Sequence, residues 1–159
     1  MIPELVILAY GSNLAAPCGS REANIAEAMR LLGEGGFRID QISAPLASAP
    51  VDCPSGSGDF LNGVCSGFWE GSPRQLMELC QEIESRLGRV TRSEREINAP
   101  RPIDLDIILF GDLVLNEPDL VIPHPRAHQR DFVMLPLQSL GLSGLNHEWT
   151  RMNTNFSEP

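Results

Sequence analysis

Apolar positions along the chain switch between a strand-like and a helix-like period, and the switches divide residues 4–140 into elements. "ELVILAYG" (4–11) is a short apolar run closed by Gly11, which fits a buried strand. From Ser20, a candidate N-cap, "REANIAEAMRLLGEGG" spaces Ile25, Met29 and Leu32 at helical intervals and stops at Gly33, Gly35 and Gly36. "FRIDQISAPLASAP" (37–50) returns to strand, with Pro45 best suited to an edge or a bulge. "VDCPSGSGD" (51–59) is turn chemistry, and "FLNGVCSGFWE" (60–70) resumes a strand. Ser72-Pro73 reads as an N-cap and first-turn proline, and Leu76, Leu79, Cys80, Ile83 and Leu87 then share one helical face before Gly88. "VTRSEREINAP" (90–100) has no period and reads as a mobile loop. "RPIDLDIILFGD" (101–112) is a further strand, turning at Gly111-Asp112 into "LVLNE" in the manner of a hairpin. "RAHQRDFVMLPLQSLG" (126–141) fits a short helix with Phe132 and Leu135 facing inward, and residues 141–159 show little periodicity.

The order strand, helix, strand, strand, helix, strand is that of a split βαβ unit: an α+β, ferredoxin-like βαββαβ core with a mostly antiparallel sheet and helices packed on it. At 159 residues, 42% apolar, the chain is expected to form one domain, 1–159 with its core at about 4–140, without disulfides or metals to staple it. No run approaches the roughly 18 apolar residues of a membrane span, and Glu4 stands where a secretion signal would be basic. A soluble, cytoplasmic protein with no membrane partner is the expectation. The four cysteines (Cys18, Cys53, Cys65, Cys80) form no C-x-x-C pair and lie in or beside apolar stretches, as buried free thiols would.

Charge narrows the chemistry. All twelve basic residues are Arg, so a Walker-type phosphate loop and Schiff-base catalysis, which both require Lys, are excluded. Seven of the twelve (Arg86, Arg89, Arg92, Arg95, Arg101, Arg126, Arg130) fall between 86 and 130 against seven acids, so the rest of the chain carries the whole net charge of −9. The planar fork of Arg suits phosphate oxygens. A pI near 4.7 argues against a nucleic-acid partner.

Within "RPIDLDIILFGD", alternation puts Asp104 and Asp106 on one strand face and Leu105, Ile107 and Leu109 on the other, with Ile108 and Phe110 continuing the aspartates' face. Two like charges about 7 Å apart along a strand need compensation if they are buried. Spacing alone leaves two readings open. One is a solvated face, or one paired to Arg101 and a neighbour; the other is a pair of hard oxygen ligands for Mg²⁺ held together with substrate phosphates. The apolar neighbours and the excess of Arg favour the second.

"AYGSNL" (9–14), "DFLNG" (59–63), "QEIESRLGR" (81–89), "APRPIDLDIILFGD" (99–112) and "IPHPRAHQRDFVMLPL" (122–137) together resemble the 6-hydroxymethyl-7,8-dihydropterin pyrophosphokinases of folate biosynthesis, in register over about 5–138. The resemblance implies a ferredoxin-like enzyme that transfers pyrophosphate from MgATP to the pterin hydroxymethyl group and releases AMP. It implies that Asp104 and Asp106 bind two Mg²⁺, and that Arg89 and Arg101 meet the triphosphate and the transition state. It places Gln81, Glu84, Ile107, His124 and Arg130 with them on the ATP side. Phe60 and Phe132 would sandwich the flat pterin, Asn62 would pair with its ring edge, and backbone near Pro50 and Val51 would complete that edge. The partners implied are these small molecules, with the protein a monomer.

Taken singly, these residues have plainer readings. Phe60 and Phe132 would be core, Glu84 a solvated helix residue, and Gly11-Ser12-Asn13 a weak anion-loop signal in which glycine lets the backbone pass close to a ligand. His124 and His128 stand at i, i+4, but Pro123 and Pro125 flank the first, which disfavours a shared metal. A metal-dependent hydrolase using the same aspartates and a ferredoxin-like ligand-binding module are the rival functions; an RNA-binding module lacks the aromatic-basic pattern.

Overall fold

A computed structural model describes residues 2–15, 17–48, 60–88 and 101–142. Pro50, Val51, Cys53, Arg89 and the segment 90–100 lie outside the described residues.

The chain runs β1 (Glu4–Ser12), α1 (Arg21–Glu34), β2 (Arg38–Ile42), β3 (Leu46–Ser48), β4 (Phe60–Trp69), α2 (Pro73–Arg86), β5 (Asp104–Phe110), β6 (Leu115–Glu117), β7 (Leu120–Ile122), a 3-10 turn (Ala127–Gln129) and α3 (Asp131–Ser139). The main sheet has the order β2-β4-β1-β5, with β3 also on β4, and every pairing is antiparallel. This is an α+β fold, with the elements in the order read from the sequence. The capping residues are those expected: Ser20 accepts from the Ala23 amide, and Ser72 and Gln75 form a reciprocal capping box ahead of Pro73. Pro45 falls in the break between β2 and β3, the two short strands that pair with β4. The break is stitched by Ser43, whose carbonyl accepts from Tyr10 Oη (2.9 Å) and whose Oγ accepts from Val64 N–H (3.0 Å).

Helices α1 and α2 cover one sheet face, burying Val6, Leu8, Tyr10, Leu32, Phe37, Leu76, Ile83, Leu105 and Ile107. Helix α3 covers part of the other, with Ile7, Val64, Ile108, Leu109, Val133 and Leu137.

Four details depart from the sequence reading. The β1–β5 register slips between Ile7, opposite Leu109, and Leu8, opposite Ile107, so Ile108 is an extra, bulged residue. The bulge shifts the alternation: Leu109 joins the α3 face with Ile108, and Phe110 points to the α1–α2 face. The chain does turn at Gly111 (φ +53°), where an added Cβ would collide with Glu4, but β6 pairs with β7 in a separate two-stranded sheet rather than with β5. In α3 the inward residues are Val133, Pro136 and Leu137; Leu135, two positions out of phase with Val133, is 51% exposed. Cys65 and Cys80 are buried as free thiols, whereas Cys18, in the turn leading into α1, is exposed.

Candidate active site

The α3 face of the sheet is apolar in its centre and polar at one end. Gly11 pairs with Asn62 on one side and Asp104 on the other, and Ala9 pairs with Val64 and Asp106, so two cross-strand rows carry these side chains on a single face. Alternation from Asn62 places Phe60 there too. Gly11 belongs to the strand rather than to a turn: a Cβ on it would stand 2.6 Å from Asn62 Oδ1, so the glycine leaves room for the Asn62 carboxamide to lie across β1. Asp104 and Asp106 are both half-buried, and both have partners.

Two arginines lie against the aromatic rings of this side. The Arg101 guanidinium stands 5.3 Å from the Phe60 ring centroid, and that of Arg130 stands 5.6 Å from the centroid of the half-buried Phe132. His124 is brought in by the β5 bulge, since its N–H donates to the Ile108 carbonyl (3.0 Å). Burial holds the His124 imidazole down at about 4, with Arg130 and Arg126 pushing the same way and Asp104 opposing. Its Nδ1 accepts from the Arg126 N–H (3.2 Å), which leaves the proton of the neutral ring on Nε2 as a donor. Asp104, His124, Arg126 and Arg130 thus share one electrostatic neighbourhood.

Helix α2 meets β5 from the other side. Glu84 Oε2 accepts from the Leu105 N–H (2.8 Å), fixing the strand between the two aspartates from its outer edge. With Leu105 pointing its amide outwards, alternation turns the main-chain groups of Ile107 the same way. The Ile107 side chain is buried in the α1–α2 core, so only its backbone can reach a ligand. Gln81 is exposed one turn before Glu84. Arg101 is tied down by Asn13: its N–H donates to Asn13 Oδ1 (2.7 Å) and its carbonyl accepts from Asn13 N–H (3.1 Å).

The structure therefore gathers Phe60, Asn62, Arg101, Asp104, Asp106, His124, Arg130 and Phe132 on the α3 side of β5. Gln81, Glu84 and the Ile107 backbone lie along its outer edge. Sequence reasoning missed the clamp by Asn13 and the Arg126–His124 bond. The first depends on register, because with Gly11 opposite Asp104 the continuation of β1 brings Asn13 alongside the Arg101-Pro102 segment. No group of three or more His, Cys, Asp or Glu able to hold a metal occurs among the described residues. A carboxylate pair alone suits a hard cation whose other ligands are water and phosphate.

A family model described as 7,8-dihydro-6-hydroxymethylpterin-pyrophosphokinase (HPPK) matches residues 7–141. The chain belongs to this family. All the site residues above lie inside the matched span. The chain is 33% identical over 138 residues to the 2-amino-4-hydroxy-6-hydroxymethyldihydropteridine pyrophosphokinase of Bacillus subtilis, covering 86% of this chain and 77% of that one. It is 34% identical over 137 residues to the Porphyromonas gingivalis protein of the same name, covering 86% and 90%. A mitochondrial folate synthesis bifunctional protein of Arabidopsis thaliana is 34% identical over 143 residues, which is 90% of this chain but 24% of the relative. The HPPK-family chain thus spans about a quarter of that longer protein. No helix among its described residues is long and apolar enough to cross a membrane.

Proposed function

We propose that this chain transfers pyrophosphate from MgATP to the hydroxymethyl group of 6-hydroxymethyl-7,8-dihydropterin, giving the pterin diphosphate and AMP for folate biosynthesis. The observation that carries this is the pair Asp104 and Asp106 on one face of β5, with Asn62 in the cross-strand row of Asp104, His124 and Arg130 in the electrostatic neighbourhood of Asp104, and Arg101 over the Phe60 ring on the same face. Family membership and the names of the bacterial relatives support it.

Asp104 and Asp106 would hold two Mg²⁺, which supply charge neutralisation for the bound phosphates and the departing AMP. Arg101 and Arg130 bind phosphate oxygens as planar forks, and His124 Nε2–H adds a neutral donor. Arg89, outside the described residues, joins them at the triphosphate. Gln81, Glu84 and the outward backbone of Ile107 lie on the nucleotide side. Phe60 and Phe132 stack on the pterin, Asn62 pairs with its edge, and the backbone of Pro50 and Val51 completes that edge. The pterin hydroxyl oxygen bonds to the β-phosphorus as the bond to the α-phosphate oxygen breaks, and the hydroxyl proton leaves to solvent. Positioning and charge stabilisation carry this step, and no side chain becomes covalently linked. Residues 1–159 are read as one cytoplasmic, monomeric unit with its core at about 4–140.

Purified protein given MgATP and the reduced pterin should form AMP and pterin diphosphate in equal amounts. AMP or ADP formed equally well without pterin would replace this reading with a nucleotide hydrolase. Pterin binding without turnover or Mg²⁺ dependence would replace it with a binding module. Asn62→Ala should weaken pterin binding by about 1–3 kcal/mol with nucleotide binding nearly unchanged. Equal loss of both affinities would mean a packing defect instead.

A further inference from the structure

We propose that Asn13 both positions Arg101 and contributes its own side-chain amide nitrogen as a second donor, beside that of Arg101, to a phosphoryl oxygen. This rests on the phosphate-binding reading of the site.

Asn13 follows β1 directly and is 6% exposed. Its backbone N–H and its Oδ1 engage the Arg101 carbonyl and N–H at 3.1 and 2.7 Å, so one residue closes both main-chain groups of Arg101 just before β5 begins. The clamp is anchored from the other side as well. The next residue, Leu14, gives its carbonyl to Nδ2 of the fully buried Asn24 on α1 (2.7 Å), and Asn24 Oδ1 accepts from Cys18 N–H (3.2 Å). Arg101 is therefore referenced to a core helix through two asparagines and not merely to its neighbours in sequence.

Closing the Arg101 backbone uses half of the Asn13 amide. The other half, Nδ2, is buried with no hydrogen-bond partner among the described residues, and so is Arg101 Nε. Buried donors are nearly always paired in folded proteins, and leaving one unpaired is costly. Two orphan donors on the two residues of one clamp call for an acceptor that arrives from outside. An anionic phosphoryl oxygen fits: it only accepts, it has several lone pairs, and it complements the charge that Arg101 brings. A neutral carbonyl acceptor would leave that charge uncompensated. Asn13 also differs from the site's other polar groups in continuing β1, so it transmits the position of the sheet centre to an arginine on the loop side of β5.

The test uses inorganic tripolyphosphate with Mg²⁺, binding being measured by calorimetry on folded full-length protein. This readout does not need the pterin or any turnover, so the inference and the pyrophosphokinase reading can fail separately. Asn13→Ala and Arg101→Ala should each weaken binding by about tenfold or more, and Asn13→Ala should weaken it further in the Arg101→Ala background, since Nδ2 is itself a donor to the phosphoryl oxygen. Asn13→Asp keeps the Oδ1 acceptor and the shape of the clamp while removing the Nδ2 donor, so it should lose at least as much as Asn13→Ala. It also serves as the deciding variant if Asn13→Ala fails to fold. Wild-type binding by Asn13→Asp, or no further loss when Asn13→Ala is added to Arg101→Ala, would overturn the proposal.

Discussion

The two faces of the main sheet are built to different standards. The α1–α2 face is covered by two fourteen-residue helices with side-chain caps, and it is apolar along β5 from Leu105 through Ile107. Among the described residues, the α3 face is covered by one nine-residue helix whose N-cap, Arg130, makes no side-chain capping bond, and which contains Pro136. That helix reaches only the middle of the sheet, where Ile7, Val64, Ile108 and Leu109 pack beneath it. Beyond its reach the same strands carry Gly11, Asn62, Asp104 and Asp106. Among the described residues, the second face carries its polar side chains where no helix packs on it. A strand with different loads on its two faces is thereby both a core element and a wall of the site.

Changing the two sides of β5 separately puts this contrast under the greatest strain. Asp104→Asn or Asp106→Asn should reduce turnover by about a thousandfold or more, ~4 kcal/mol in the barrier, while thermal unfolding without ligands stays within about 1 kcal/mol. Early unfolding with activity per folded molecule intact would make the aspartates structural partners of arginine. Leu8→Ala, on the opposite face and fully buried, should show the reverse pattern. It should cost about 3 kcal/mol in denaturant unfolding with near-normal activity in the molecules that remain folded.

A smaller effect is expected at the edge where the two sides meet. Glu84→Ala removes the acceptor for Leu105 N–H, and should cost about 1–2 kcal/mol and speed hydrogen exchange at the Leu105 amide. An unchanged exchange rate would mean that water or a neighbour satisfies that amide equally well.

A last effect concerns acid. The folded pKa of His124, about 4, lies below its ordinary value of 6.5, so between these values the unfolded chain binds a proton that the folded chain does not. The contribution to stability is complete above about pH 6.5 and is lost as pH falls toward 4. Melting temperature measured against pH should therefore drop more steeply in this window for the wild type than for His124→Gln. Parallel curves would show that the imidazole is not held neutral by its burial.

The fold was legible because its signals are local. Ser20 and Ser72-Pro73 start helices, Gly35, Gly36 and Gly88 end them, and Pro45 breaks a strand; each acts through its own backbone, so no partner need be known. The aspartates' shared face is likewise a property of alternation over three residues. Failures came where a partner decides. The bulge at Ile108 exists because of how β5 registers with β1, and it reversed the faces of Leu109 and Phe110. The phase of α3 depends on which residues the sheet receives, and this turned Leu135 outwards.

The site divides in the same way. Residue identity and local spacing supplied the available chemistry: carboxylates two apart on a strand, arginine as the sole cation, and aromatic and amide groups in recognisable spacing. The assembly came from packing, because hydrogen bonds between segments far apart in the chain depend on register and not on composition. Register set Asn62 over Gly11, gave the Ile108 carbonyl to His124, and placed Glu84 on the Leu105 amide. It also tied Arg101 to Asn13 across 88 positions of sequence. A contact of that separation is specified only when the strands between which it forms have already chosen their alignment.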